Sequence, residues 1–140
     1  TGGGIGLAIA NALEEEGAKV MRADVADADL SQPGAALRLA EAAIRRLGQV
    51  SLFVHAASPP RKETQTALAV TEAEWRAMLE VNLNAGFLIA QALGRHMREK
   101  GIKGRMLFVT SLHADSPRNL PHYSASKAGR AWARSSPPSA

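Results

Sequence analysis

The chain has 140 residues and a mass of 14.8 kDa; 46% of the residues are hydrophobic and 21% are charged. This length fits one domain, and the composition is globular rather than disordered, collagenous or coiled-coil. The absence of cysteine excludes disulfides, thiolate metal sites and cysteine nucleophiles. No apolar run approaches the roughly 20 residues that cross a bilayer, and the first residues lack the basic start of a signal peptide. We therefore expect a cytoplasmic domain without a membrane partner.

The net charge of +4 raises the question of a nucleic-acid partner. Lys and Arg are spread along the chain among Asp and Glu, and only six residues are aromatic. Such a surface is poorly suited to stacking on bases. We expect no nucleic-acid binding. Salt-sensitive retention on DNA would instead indicate that the chain binds nucleic acid.

Helical and strand-like segments alternate along the first part of the chain. Apolar residues at helical spacing predict helices over residues 5–16 and 33–47, and a glycine follows each of them as a stop. Residues 18–22 form a short strand candidate. The nearly unbroken apolar run over residues 50–56 predicts a strand that is buried on both faces.

The middle of the chain contains a polar, proline-bearing loop over residues 58–65. After it, Thr71 and Glu74 have the spacing of a capping box, which opens a helix. We predict that this helix continues to about residue 100, with a break near Asn82.

The last predicted elements are a buried strand over residues 105–110 and a helix over residues 121–133. Strands that alternate with helices in this way favour an α/β fold with a doubly wound parallel sheet.

The chain starts with four glycines within residues 1–6, immediately before the first predicted helix. Glycine allows a tight turn and close approach to a phosphate, and a helix N-terminus offers free N–H groups and a positive dipole end. The same composition suits a glycine-rich linker, so this segment alone leaves both interpretations open.

Tyr123 and Lys127 are four residues apart in a predicted helix, so their side chains share one face. A free phenol has a pKa of about 10, too high for efficient acid–base catalysis at neutral pH. A neighbouring ammonium stabilises the phenolate. Ser111 ends a predicted strand, where its hydroxyl can reach the crevice at the carboxyl edge of the sheet and hold a carbonyl oxygen. The alternative interpretation is an ordinary surface Tyr and Lys on an amphipathic helix.

The arrangement of Ser111 twelve residues before Tyr123 in YSASK resembles the active site of the short-chain dehydrogenase/reductase family. The segment VNLNAGF, residues 81–87, is similar to the central segment of that family. Asn82 stands there in the position of the family's fourth catalytic residue.

Two further segments carry the same resemblance. GIGLAIANALEEEGA, residues 4–18, is similar to the family's cofactor-loop helix, and LFVHAAS, residues 52–58, takes the place of its NNAG strand end. The resemblance covers about residues 1–131. It implies a Rossmann-like, doubly wound parallel sheet with flanking helices, incomplete at both ends.

The resemblance implies an NAD(P)-dependent oxidoreductase that transfers hydride between the nicotinamide and a small-molecule carbonyl or alcohol substrate. Tyr123 would exchange a proton with the substrate oxygen, and Ser111 would orient and polarise that oxygen. Lys127 would stabilise the phenolate and hold the nicotinamide ribose. Asn82 would hold a water that relays protons through Lys127.

The implied cofactor contacts, besides Tyr123 and Lys127, are Gly2, Gly4, Ile5, Gly6, Asp24, Asp29, Ala56 and Ala57. Asp24 would hold the adenosine ribose hydroxyls, which favours NAD, whereas Arg22 leaves NADP open. The glycine loop is two residues shorter than the family's TGxxxGIG. Asp29 follows Asp24 by only five positions, too few for the family's crossover helix. We expect that helix to be deleted, or residues 20–30 to form one irregular strand.

His96, His113 and His122 show no metal-ligand spacing with one another or with carboxylates, and we expect no metal site. His55 is interpreted as a structural variant at the end of a strand. His113 and His122 flank the active-site segment, where one of them could line the substrate pocket.

The helix that carries Tyr123 loses its apolar stripe after Lys127 and meets Pro137 and Pro138, which cannot continue it. The later strands of the family have no counterpart. We therefore expect a truncated or frame-disrupted family member.

The domain interpretation is one partial NAD(P)-binding domain over residues 1–140, with a non-family tail over 134–140. The resemblance also implies a homo-dimer or homo-tetramer that pairs through the helices over 82–100 and 121–133. The alternative function is a catalytically inactive Rossmann-like fragment that acts at most as a binding or assembly partner.

Overall fold

The computed structural model describes residues 4–134. Within them the regular elements are α1 (Gly4–Glu15), α2 (Ala35–Leu47), β1 (Leu52–His55), α3 (Glu72–Leu79), α4 (Ala85–Glu99), β2 (Arg105–Phe108) and α5 (Pro121–Ala128). Three shorter segments join them: a π-helical turn at Glu80–Asn84 and 3₁₀ turns at Leu112–Ala114 and Gly129–Arg134.

The first two helices form close to where the sequence predicts them. α1 ends before Gly17, whose φ of 85° is a conformation that glycine adopts without steric cost. α2 starts two residues later than predicted, and the N–H of Gly48 at its end donates to the Ile44 carbonyl.

The strand predicted over residues 18–22 is wrong. These residues pair with neither β1 nor β2, and a turn follows at residues 25–27. The Arg22 side chain binds Glu14 and Asn11 of α1 instead, which ties the segment to the helix. The irregular strand considered for residues 20–30 does not form either.

The described sheet consists of β1 and β2, which pair in parallel from Leu52 opposite Arg105 to His55 opposite Phe108. Both strands are shorter than predicted. The prediction that they are buried on both faces is wrong. Phe53 packs toward the core, whereas Leu107 on the opposite face is 53% exposed. The helical layer therefore covers one face of these two strands.

The core lies between that covered face and the pair α2 and α4. Small side chains let the two helices approach closely, and larger ones fill the space toward the sheet. The buried members of this cluster are Ala36, Ala40, Val50, Ala85, Ile89, Leu93 and Met97.

The predicted capping box and helix break are both confirmed. The Thr71 hydroxyl accepts the N–H of Glu74 at 3.2 Å, and the Glu74 carboxylate accepts the N–H of Thr71 at 2.9 Å. The helix that starts there is interrupted by the π turn around Asn82, the kind of local bulge often found at functional sites.

The last predicted helix is shorter than expected, because α5 changes to 3₁₀ geometry at Gly129. The predicted α/β class is confirmed, with parallel strands and flanking helices. Among the described helices, none is both long enough and apolar enough to span a bilayer.

Candidate active site

Helix α5 brings Tyr123 and Lys127 together on one face, as their spacing predicts. Pro121 at the first position of the helix fixes its start. Both side chains are buried, Tyr123 to 6% exposure and Lys127 to 4%. The Lys127 ammonium lies 5.3 Å from the centre of the Tyr123 ring and donates to the Val109 carbonyl at 2.9 Å.

The π turn places Asn82 directly against α5. Its side-chain Nδ2 donates to the Ser126 hydroxyl at 2.9 Å, and that hydroxyl donates to the Tyr123 carbonyl at 2.7 Å. Asn82 is fully buried, so this two-bond chain links the π turn to the backbone that carries the tyrosine.

The backbone carbonyl of Asn82 is held by Arg130. The Nε of Arg130 donates to that carbonyl at 2.7 Å, and its Nη1 donates to the Val109 carbonyl at 2.5 Å. The Oδ1 of Asn82 is buried without a hydrogen-bond partner among the described residues. Two cations, Arg130 and Lys127, therefore share one backbone acceptor beside the tyrosine.

Ser111 lies three residues beyond β2, at the carboxyl end of the strand. Its hydroxyl accepts the N–H of His113 at 3.3 Å and caps the short 3₁₀ turn. That turn places the His113 ring edge-on against Tyr123, with 5.3 Å between the ring centres. His122 is fully buried, and neither of its ring nitrogens has a hydrogen-bond partner in the part of the chain that is described.

Arg61, in the loop after β1, lies over the face of Tyr123. Its guanidinium carbon is 4.2 Å from the ring centre, a distance typical of a cation–π contact. Tyr123 thus has Arg61 on its ring face, His113 at a ring edge and Lys127 nearby.

Burial and neighbouring cations set the charge state of this cluster. Burial, followed by repulsion from Arg130 and Arg61, lowers the pKa of Lys127 to about 7. Burial likewise lowers the pKa of Arg130 to about 10. Arg130 therefore stays charged at neutral pH, whereas Lys127 is near its titration midpoint.

His55 lies beneath the π turn rather than among the contacts of Tyr123. Its Nε2 is 3.0 Å from the Val81 carbonyl. Burial, helped by the charge of Arg130, lowers the pKa of His55 to about 4, so the ring is neutral near pH 7. Its position is that of a packing residue that supports the turn carrying Asn82.

Of the predicted cofactor contacts at the start of the chain, Gly2 lies outside the described residues. Gly4 begins α1 with a φ of 65°, and a Cβ there would meet no atom within 4 Å. Ile5 and Gly6 follow in the first turn of α1, with Ile5 exposed. The N-terminus of α1 is therefore uncrowded at Gly4, and an open helix N-terminus fits a pyrophosphate group.

The predicted acidic contacts have local partners. Asp24 accepts the N–H of Val25 at 2.7 Å. Asp29 accepts hydrogen bonds from the backbone and side chain of Ser31, which lower the pKa of its carboxyl group. Asp29 also lines a groove of about 430 Å³ beside α2.

Ala56 and Ala57 directly follow β1, at the same sheet edge as the carboxyl end of β2. Together with the open N-terminus of α1 at Gly4 and the buried Lys127 ammonium, they fit a nicotinamide dinucleotide better than they fit a metal. The described residues hold no cluster of three or more His, Cys, Asp or Glu that could bind a metal ion.

Sequence reasoning missed Arg61, Arg130 and Ser126. Arg130 follows Lys127 by three residues, and this spacing could have placed the two on one helix face. For Arg61 no local pattern existed, because its contact with Tyr123 depends on how the loop folds back.

Comparisons with known proteins agree with this geometry. The profile of the short chain dehydrogenase family matches residues 21–134. The probable galactose dehydrogenase GalD of Rhizobium meliloti (strain 1021) is 31% identical over 150 residues, which cover 91% of this chain and 58% of GalD. The chain spans about half the length of the curated relatives it matches.

Two solved structures share the fold. A short chain dehydrogenase from Burkholderia cenocepacia J2315 in complex with NADP has a TM-score of 0.69 at 24% identity, over 90% of this chain and 49% of that one. A 4-hydroxyisoleucine dehydrogenase complexed with NADH and succinate has a TM-score of 0.77 at 22% identity, and the match covers 90% of this chain and 63% of that one. The Rossmann-like fold is therefore confirmed, and the chain belongs to the short chain dehydrogenase family.

Proposed function

We propose that this chain carries the acid–base site of an NAD(P)-dependent oxidoreductase that interconverts a carbonyl and an alcohol in a small-molecule substrate. The observation that carries this proposal is the buried Tyr123 with the Lys127 ammonium 5.3 Å from its ring. Membership of the short chain dehydrogenase family supports it.

Tyr123 moves the proton in this proposal. In the reductive direction its hydroxyl donates a proton to the substrate carbonyl oxygen, and in the oxidative direction the phenolate takes the proton back. The Tyr123 hydroxyl has no hydrogen-bond partner among the described residues, so it is free to bind a substrate oxygen. Lys127 stabilises the phenolate by its charge.

Ser111 orients the substrate. Its hydroxyl accepts one backbone N–H and keeps its own proton to donate to the same carbonyl oxygen. When bound, a nicotinamide cofactor supplies or accepts the hydride. Asn82 positions the tyrosine through Ser126, and its buried Oδ1 is the acceptor for a proton-relay water.

The cofactor is held, in this proposal, by the glycine turn at one end and by Lys127 at the nicotinamide ribose. Gly2, Gly4, Ile5 and Gly6 bind the pyrophosphate, and Ala56 and Ala57 line the groove. Asp24 and Asp29 face the adenosine. We favour NAD over NADP because Arg22, the candidate for a 2′-phosphate, is already bound to Glu14.

We further propose that the protein pairs through α4 and α5 as a homo-dimer or homo-tetramer. Phe87 on α4 is 41% exposed, and its ring lies 5.1 Å from that of Trp132. Sedimentation of the purified chain tests this. Faster sedimentation than a monomer, reversed by Phe87→Glu, supports the pairing, and a monomer at all concentrations refutes it.

The activity test is oxidation of NADH or NADPH with a panel of small aldehydes and ketones. We expect Tyr123→Phe to lower kcat by about 10²–10⁴-fold while cofactor affinity is retained. Arg45→Met, at an exposed arginine on α2, is the control and should keep full activity. Unchanged turnover in Tyr123→Phe would refute the role of the tyrosine. Absence of turnover in a folded chain would support the alternative that this chain is a catalytically inactive fragment.

A further inference from the structure

The surroundings of Tyr123 are positively charged. Arg61 covers the ring face at 4.2 Å, Lys127 lies 5.3 Å from the ring centre, and Arg130 shares the Val109 carbonyl with Lys127. Two of these cations are almost completely buried. Charges act strongly in such a place because the local dielectric constant is low.

No described carboxylate neutralises this cluster. The ion pairs between side chains of residues 4–134 lie elsewhere and are Glu14 with Arg22, Glu41 with Arg45, and Glu72 with Arg76. Two guanidinium groups and a partly protonated amine, without a protein counter-charge, form a site that favours an anionic ligand.

Of the positively charged side chains around Tyr123, Arg61 is the one that is free to bind an anionic ligand. Lys127 and Arg130 each donate to backbone carbonyls. Arg61 has no hydrogen bond or ion pair within the described part of the chain, and its side chain is exposed. It also lies in the loop that follows the carboxyl end of β1, at the sheet edge that carries the site.

We propose that Arg61 binds the carboxylate of the substrate, so that the site acts on oxo acids and the corresponding hydroxy acids. The inference rests on the proposed function and names its substrate class. Because the guanidinium lies on the ring of the proton donor, the anion has to be close to the reacting carbon. A carboxylate bonded to that carbon or one carbon away meets this requirement, and its two oxygens match the planar guanidinium.

The reaction is balanced with the groups already named. The oxo acid gains a hydride from the reduced nicotinamide at its carbonyl carbon and a proton from Tyr123 at its carbonyl oxygen. The products are the hydroxy acid, the oxidised nicotinamide and a phenolate, which takes a proton from solvent. The carboxylate stays bound to Arg61 and is unchanged.

The test compares acetoacetate with methyl acetoacetate, which lacks the charge, in the complete chain. We expect Arg61→Met to lower kcat/KM for acetoacetate by about tenfold or more and to leave the value for the ester unchanged. Arg61→Lys should recover part of the loss, since lysine keeps the positive charge but lacks the planar guanidinium that binds both carboxylate oxygens. Arg45→Met should change neither value.

Two results would overturn the inference while leaving the proposed function intact. One is an equal effect of Arg61→Met on acid and ester. The other is a weakened affinity of Arg61→Met for NADPH, which would mean that the guanidinium binds a cofactor phosphate instead of the substrate.

Failure of the proposed function has a different result. If the folded chain binds neither nicotinamide cofactor, calorimetric titration with acetoacetate alone still tests Arg61. Binding that Arg61→Met abolishes and Arg45→Met keeps supports the anion site, and no binding to the unmodified chain refutes it.

Discussion

The contact between Gly86 and His55 allows a sharp prediction about the support of the active site. A Cβ added at Gly86 would lie 2.9 Å from His55 Cδ2 and 3.1 Å from its Nε2. The His55 ring cannot move away easily, because Nε2 contacts the Val81 carbonyl and the ring packs between Phe53 and Phe108. Gly86→Ala should therefore overpack the base of the π turn.

A matched substitution in the same helix isolates this contact. At Gly94 an added Cβ would meet the flexible end of Met106 at 3.4 Å. Both substitutions gain about 1 kcal/mol of helix propensity, but only Gly86→Ala has the overpacking penalty of about 1–3 kcal/mol. We expect Gly94→Ala to be neutral or stabilising, and Gly86→Ala to have a free energy of unfolding about 1–3 kcal/mol below it.

The assay is urea denaturation of the two variants and of the unmodified chain, followed by circular dichroism. Replacing His55 by Ala should remove most of the difference between Gly86→Ala and Gly94→Ala. Equal stabilities of the two glycine variants, with His55 present, would refute the close packing that we describe.

Three further predictions follow from single contacts. Thr71→Ala should cost about 1 kcal/mol of unfolding free energy, whereas Thr71→Ser should keep it, as measured by urea denaturation. The unfolded chain protonates His55 near pH 6.5, but the folded chain does so only near pH 4. The free energy of unfolding should therefore fall by about 3 kcal/mol as the pH is lowered from 6.5 to 4. His55→Asn should show a smaller fall. The Lys127 ammonium, followed by NMR, should titrate near pH 7 and at a higher pH in Arg130→Met, which removes a buried cation; an unchanged midpoint would contradict this.

Local sequence patterns predicted the elements whose determinants are local. The capping box at Thr71 and the helix stop at Gly17 depend on residues within one turn of each other, and both form as predicted. The strand expected over residues 18–22 depends on a neighbouring strand for its hydrogen bonds. Within the described residues no such pairing is made, so an apolar pattern alone was insufficient.

The same distinction applies to the candidate site. The spacing of Tyr123 and Lys127 placed them on one helix face because both belong to α5. Arg61 reaches Tyr123 from the loop after β1, whereas Arg130 directly follows α5 and binds the Asn82 and Val109 carbonyls. The spacing from Lys127 could have indicated Arg130, but the contact of Arg61 depends on tertiary packing, which no spacing in the sequence reports.

The most direct test of the central claim is a calorimetric titration of the folded chain with NADH and, separately, with NADPH. The proposed site predicts saturable binding tighter than roughly 100 μM, which corresponds to about −5.5 kcal/mol, with Lys127→Met binding more weakly. It also predicts that NADH binds more tightly than NADPH. No heat with either nucleotide, from a sample that circular dichroism shows to be folded, would contradict the proposal that this chain holds a nicotinamide cofactor.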